Sequence, residues 1–145
     1  MNFMVVKKNG IATVGDTCLF VSVRDGVMKS NDWGNSFHRV LTTQSTHTIM
    51  ADKSGHLYTG GTGYIYISDD VGVTWDSAEI ESDVPVIQMI EDKDGDTYAI
   101  TSDLYEGNTY NGDGLFYSNN KGKSWVSRNN GLNNFLVCDR IATDQ

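Results

Sequence analysis

The chain has 145 residues, 39% of them hydrophobic and 10% aromatic, enough apolar material for one packed domain and too little for two ordinary ones. With 19 acidic against 11 basic residues and a net charge of −8, it lacks the basic footprint through which nucleic-acid binders release counterions, so DNA and RNA are set aside as partners. No stretch approaches the roughly 18 apolar residues that span a bilayer, and the chain reads as soluble, without membrane insertion.

In chain order, Phe3-Met4-Val5-Val6 precedes Lys7 and Lys8, the reverse of a secretory leader, and gives a spare strand before the first repeat. The sequence assigns no compartment, and an extracellular or virion-associated setting fits it as well as another. From Gly10 onward apolar residues come in short alternating runs, as in Cys18-Leu19-Phe20-Val21-Ser22-Val23, Tyr64-Ile65-Tyr66-Ile67, Val86-Ile87-Gln88-Met89-Ile90 and Thr97-Tyr98-Ala99-Ile100. That period is the period of strands. Clusters of Gly, Asp and Asn between them supply the positive φ angles and side-chain hydrogen bonds of tight hairpins. An all-β domain is predicted. Cys18 and Cys138 stand far apart in β-like runs, with no metal or redox spacing, and are expected to be buried thiols.

Three segments superimpose: Ser30-Asn31-Asp32-Trp33-Gly34-Asn35-Ser36-Phe37, Ser68-Asp69-Asp70-Val71-Gly72-Val73-Thr74-Trp75 and Ser118-Asn119-Asn120-Lys121-Gly122-Lys123-Ser124-Trp125. Each reads Ser-x-(Asp/Asn)-x-Gly-x-(Ser/Thr)-aromatic. The pattern resembles the Asp-box, or BNR repeat, of sialidases, xyloglucan-active glycosidases, Vps10-type sorting receptors and photosystem assembly factors. Physically it is a self-capped hairpin turn: the oxygen of Asp32, Asp70 or Asn120 folds back onto backbone N–H groups, and Gly34, Gly72 or Gly122 takes a left-handed conformation. Phe37, Trp75 and Trp125 start the returning strand and offer a large apolar face between sheets. The repeat is therefore read as scaffold, with no catalytic role for its acids; Asn120 cannot ionise.

The flanking strands repeat too, giving four antiparallel strands roughly every 40 to 50 residues, the blade pattern of a β-propeller. Blades are placed at about 10–42, 46–80 and 84–130, and 135–142 is read as the innermost strand of a further blade. The interval from Ser68 to Ser118 exceeds that from Ser30 to Ser68, and the surplus falls in Asp103–Gly114. This segment is read either as a recognition loop or as an ordinary hairpin extension. In the first reading Tyr105 and Tyr110 stack on a sugar ring while Asn108, Asn111 and Asp113 bind hydroxyls. Trp33, inside the first turn where the other copies have Val71 and Lys121, is a further ligand candidate.

Other motifs read as structure. Asp92-Lys93-Asp94-Gly95-Asp96 has the start of a calcium loop but not its end, and the matching Asp52-Lys53-Ser54-Gly55 has fewer carboxylates, so both are hairpin turns. Gly60-Gly61-Thr62-Gly63 leads into a strand rather than a helix, which argues against a phosphate cradle. His38, His47 and His56 lack metal-ligand spacing. No metal or cofactor is called for.

The resemblance implies a sialidase-like or xyloglucanase-like glycosidase as one alternative. Sialidases use an arginine triad and a Tyr–Glu pair; this chain offers only Arg24, Arg39, Arg128 and Arg140 and no Arg-Ile-Pro segment, and nothing isolates a pair of acids for the other chemistry. The expected function is a non-catalytic module that binds a glycan or a protein through loops on the propeller face. The alternatives are a structural part of a virion or cell-surface assembly, or a fragment of a glycosidase. Three blades cannot close a propeller, so the chain is read as part of a larger propeller, as one of two chains that pair to complete about six blades, or as an open arc capped by partners; an assembly, by self-association or with a partner supplying further blades, is the expectation.

Overall fold

The computed structural model describes residues 10–105, 109–132, 136–138 and 140–143. Within them the chain forms β1 (Ile11–Val14), β2 (Cys18–Val23), β3 (Gly26–Ser30), β4 (His38–Thr42), β5 (Thr48–Ala51), β6 (Leu57–Gly60), β7 (Tyr64–Ser68), β8 (Asp76–Glu79), β9 (Val86–Glu91), β10 (Thr97–Tyr105), β11 (Thr109–Ser118) and β12 (Val126–Ser127). Each successive group of four makes one antiparallel sheet in chain order, so the all-β reading holds and the sheets are three blades. No described element is a helix long and apolar enough to cross a membrane.

Alternation along each strand divides its residues between two faces. The core lies between blades. One cluster joins the first two: Ala12, Phe20 and Val27 of blade 1 meet Ile49 and Leu57 of blade 2, with Val71 and Trp75 packed at its edge. The other joins blades 2 and 3: Tyr58 and Ile65 meet Val86, Met89, Ala99 and Phe116, with Trp125 against them. Each blade thus buries both faces only if it has a neighbour on each side. Cys18 and Cys138 are half-buried rather than buried, and Cys18 donates weakly to Asn31 Oδ1.

Two expectations are narrowed or corrected. Asp103–Gly114, read as a recognition loop or as a hairpin extension, takes the second form in its described residues. β10 and β11 run on through Asp103, Leu104 and Tyr105, paired with Asn111, Tyr110 and Thr109, after a bulge beyond Thr101. Thr and Tyr at these positions favour the pleat, while the neighbouring Gly, Asn and Asp hide the alternation in the sequence. The second change concerns the innermost strand expected over 135–142: residues 136–138 and 140–143 carry no strand. Instead the Gln88 amide on β9 grips Ile141, donating to its carbonyl and accepting its N–H, both at 3.2 Å. The spare strand expected over Phe3–Val6 lies outside the described residues.

Candidate functional site

The three eight-residue turns share one hydrogen-bond scheme, which accounts for every fixed polar position. The first serine accepts the glycine N–H four residues on, at 2.7 Å in Ser30–Gly34, 2.8 Å in Ser68–Gly72 and 2.9 Å in Ser118–Gly122. Its hydroxyl donates to the oxygen of Asp32, Asp70 or Asn120 at 2.7 to 2.9 Å. That same oxygen accepts the N–H of Ser36, Thr74 or Ser124. The second carboxylate oxygen takes the hydroxyl of Ser36 or Thr74 at 2.6 Å; in the third copy the direction reverses and Asn120 Nδ2 donates to Ser124 Oγ at 2.7 Å.

Accepting that many donors lowers the pKa of each acid. The Ser36 and Ser30 hydroxyls and the Ser36 N–H hold Asp32 at about 2, and the Thr74 hydroxyl and N–H hold Asp70 at about 2, both from an ordinary 3.8. Such acids stay ionised at neutral pH and have no proton to give. They are built as turn acceptors.

The sequence did not reveal one feature of these turns. The residue before each glycine is also left-handed: Trp33 (φ 55°), Val71 (φ 60°) and Lys121 (φ 58°), followed by Gly34 (φ 88°), Gly72 (φ 81°) and Gly122 (φ 76°). For a β-branched residue such as Val71 this conformation is strained. The turn is held down by the preceding blade, where Lys29 Nζ donates to the Val71 carbonyl at 2.9 Å.

The Asp52 and Asp92 turns form a second repeated device. Asp52 Oδ1 accepts the N–H groups of Ser54 and His56, and its Oδ2 takes His56 Nδ1 at 2.7 Å and the Tyr58 hydroxyl at 3.1 Å. Asp92 does the same with the N–H groups of Asp94 and Asp96 and the Tyr98 hydroxyl. Burial pushes the Asp52 carboxyl up, but the His56 and Tyr58 bonds outweigh it and hold it below the usual range. The carboxylate at the head of the supposed calcium loop is spent on its own turn.

The ligand candidates do not form one cluster. Tyr105 and Tyr110 lie on the backbone of the β10–β11 hairpin extension, with Tyr110 opposite Leu104 and Tyr105 opposite Thr109; Asn108 lies outside the described residues. Asn111 is exposed. Asp113 is a clasp: its carboxylate accepts the Ser82 hydroxyl at 2.8 Å and the Asp83 N–H at 3.0 Å, tying the hairpin base to the link between blades 2 and 3. Trp33 lies in blade 1, between β3 and β4 at the tip of the first turn, 59% exposed.

Trp33 belongs to a different surface, which the strand registers make visible. Leu19, Leu57 and Thr97 each pair with the serine that opens a turn, and Thr13, Ala51 and Glu91 pair with them in their own blades. Ile11, Ile49 and Met89 are therefore equivalent. Ile49 and Met89 are each 5% exposed, covered by the preceding blade, whereas Ile11 is 69% exposed. Leu19 and Val21 are half-buried where Leu57, Thr59 and Ala99 are fully buried, and Phe37 is exposed where Trp75 and Trp125 are half-buried. Among the described residues, nothing covers this apolar face of blade 1 as blades 1 and 2 cover the equivalent faces of blades 2 and 3.

The far face of blade 3 is its counterpart. Phe20 and Tyr58 are fully buried under the next blade's turn, while their equivalent Tyr98 is half-buried; Leu115 is half-buried where Val27 and Ile65 are fully buried. Tyr98 lies 5.2 Å from Tyr117, and the Arg128 guanidinium stacks 3.3 Å above the Tyr117 ring.

No family model matches the sequence, and no curated protein matches it. Solved structures do. One, described as "YCF48 bound to D1 peptide", superimposes with a TM-score of 0.51 at 12% identity, over 81% of this chain and 38% of that one. The fold is that of a β-propeller arc. The chain spans well under half the length of that propeller chain.

Proposed function

We propose that this chain is a non-catalytic binding and assembly module, an arc of propeller that joins further blades through its open end faces and presents the β10–β11 hairpin extension to a ligand. One observation carries the assembly reading: Ile11 is 69% exposed at a position where the two internal blade junctions leave Ile49 and Met89 at 5%. An apolar patch of this kind on a soluble protein marks an interaction surface. The non-catalytic reading is supported by Asp32, Asp70, Asp52 and Asp92, each spent on turn N–H and hydroxyl groups.

For the ligand, a protein segment is favoured over a glycan, because the propeller to which the chain is similar is described as bound to a peptide. A long hairpin suits that role, its strands offering backbone groups to an extended chain. Membership of the Asp-box family remains part of this proposal, resting on the shared turn scheme. Solution mass tests the assembly reading: the purified chain is expected to sediment well above the mass of one copy. A single-mass species whose β1 and β2 amides are fully protected from hydrogen exchange would sink it. A glycan reading would gain instead if the chain were retained on a glycan array and Tyr105→Ala with Tyr110→Ala abolished the retention.

A further inference from the structure

The two internal blade junctions show what a covered front face requires. At the first, the Gly72 turn of blade 2 sits on the Phe20 ring of blade 1: a Cβ added at Gly72 would lie 2.9 Å from that ring. Lys29, whose ammonium lies 5.4 Å from the same ring centroid, donates to the Val71 carbonyl of that turn. At the second junction Gly122 sits on Tyr58, where an added Cβ would lie 2.7 Å from the ring. The junction is therefore a glycine turn laid on an aromatic ring, and at the first of them a neighbouring cation also holds the turn's left-handed carbonyl.

Both halves of such a junction are left over at the ends of the arc. Blade 1 presents the Gly34 turn, where an added Cβ meets nothing closer than 3.5 Å, beside the exposed Ile11, Trp33 and Phe37. Blade 3 presents the half-buried Tyr98 ring at the position of Phe20 and Tyr58, with the Arg128 guanidinium held beside it on Tyr117. Among the described residues no preceding blade lays a ring or a cation against this turn, whose nearest ring is its own Phe37; the far end of the same chain offers both.

We infer that the partner covering blade 1 is a second copy of this chain, bound head to tail, with the Gly34 turn of one copy seated on Tyr98 of the other and Arg128 donating to the Trp33 carbonyl. Two such contacts close a ring of six blades, within the range of known propellers. The inference rests on the assembly reading above and names its partner. In the ring β1 of one copy lies beside β9 of the other, as β1 lies beside β5 and β5 beside β9 within a copy. The segment held by Gln88 at Ile141 must then move off β9, so removing residues 136–145 is expected to tighten association.

Two surface variants test the geometry without touching the core. Ile11→Glu places a charge in the front face, and Arg128→Glu sets a carboxylate against the Trp33 carbonyl; each is expected to weaken self-association at least about tenfold. Neither variant alone should sediment at twice the chain mass under conditions where the unmodified chain does. Mixed in equal amounts they should form a two-copy species, because one front–back contact in the mixed pair retains both native surfaces. A larger species that persists in both variants, or variants that fail to recombine while circular dichroism shows them folded, overturns the head-to-tail second copy and leaves the assembly reading standing. A single-mass unmodified chain overturns both.

Discussion

Asp32 and Asp70 show how a fixed residue type can follow from local geometry rather than from chemistry on a substrate. Asp32 accepts one backbone N–H and two hydroxyls, and Asp70 two backbone N–H groups and two hydroxyls, so ionisation is favoured in the folded turn more than in the unfolded chain. A carboxyl whose folded pKa lies below its unfolded value contributes stability that is present above the unfolded value and lost as pH falls toward the folded one. With both acids moved from 3.8 to about 2, their contribution should be intact at neutral pH and fade between about pH 4 and pH 2. Asp52 and Asp92 are lowered as well, so the informative quantity is a difference between variants. Asp70→Asn should keep the turn, since Asn120 accepts the Ser118 hydroxyl and the Ser124 N–H in the same scheme. Thermal unfolding followed across that range should therefore show a shallower acid decline for Asp70→Asn than for the unmodified chain. An identical decline would mean that the Asp70 turn is not closed in solution.

The strand is the unit at which the sequence was most legible and also where it misled. Alternating runs placed the blade strands, and the Ser-x-(Asp/Asn)-x-Gly-x-(Ser/Thr) pattern placed the third hairpin of each blade, because every fixed position is a donor or acceptor in one closed scheme. The left-handed residue before the glycine left no trace, since Trp33, Val71 and Lys121 have nothing in common as side chains; the neighbours and not the residue impose φ. The β10–β11 extension was legible only as one of two readings of Asp103–Gly114, because its alternation is broken by a bulge and diluted by Gly, Asn and Asp. What a turn packs against is a matter of sheet-to-sheet contact and also invisible in the sequence. That contact predicts unequal effects from like substitutions. Gly72→Ala combines a positive φ with a Cβ 2.9 Å from the Phe20 ring, whereas Gly34→Ala carries only the φ penalty, its nearest contact being 3.5 Å away. Denaturant unfolding in dilute solution, where single copies prevail, should give a loss of about 2–3 kcal/mol for Gly72→Ala and about 1 kcal/mol for Gly34→Ala. Equal losses would show that the blade 1–blade 2 junction is not packed as described.

At the scale of the molecule, the repeats act as internal controls for one another. Ile11 and Ile49 have the same side chain, the same place in the innermost strand of a blade and the same pairing one strand out, Val21 for one and Thr59 for the other. They differ only in whether a blade lies in front of them, and this is what sequence alone could not tell, because an isoleucine awaiting a partner is written like one that has found it. The pair therefore separates folding from assembly. Ile49→Ala removes buried methyl groups from the junction of blades 1 and 2 and should cost about 2–5 kcal/mol of folding stability at any protein concentration. Ile11→Ala removes the same atoms from a surface that is 69% exposed within one copy, so in dilute solution its unfolding free energy should change by no more than about 0.5 kcal/mol. As concentration rises the unmodified chain should gain stability by mass action through its end face, and Ile11→Ala should gain less. Unfolding midpoints measured over a wide concentration series would read this directly: parallel curves for the unmodified chain and Ile49→Ala, and a flatter one for Ile11→Ala. If all three midpoints are independent of concentration, the exposed face of blade 1 is not an assembly surface for this chain.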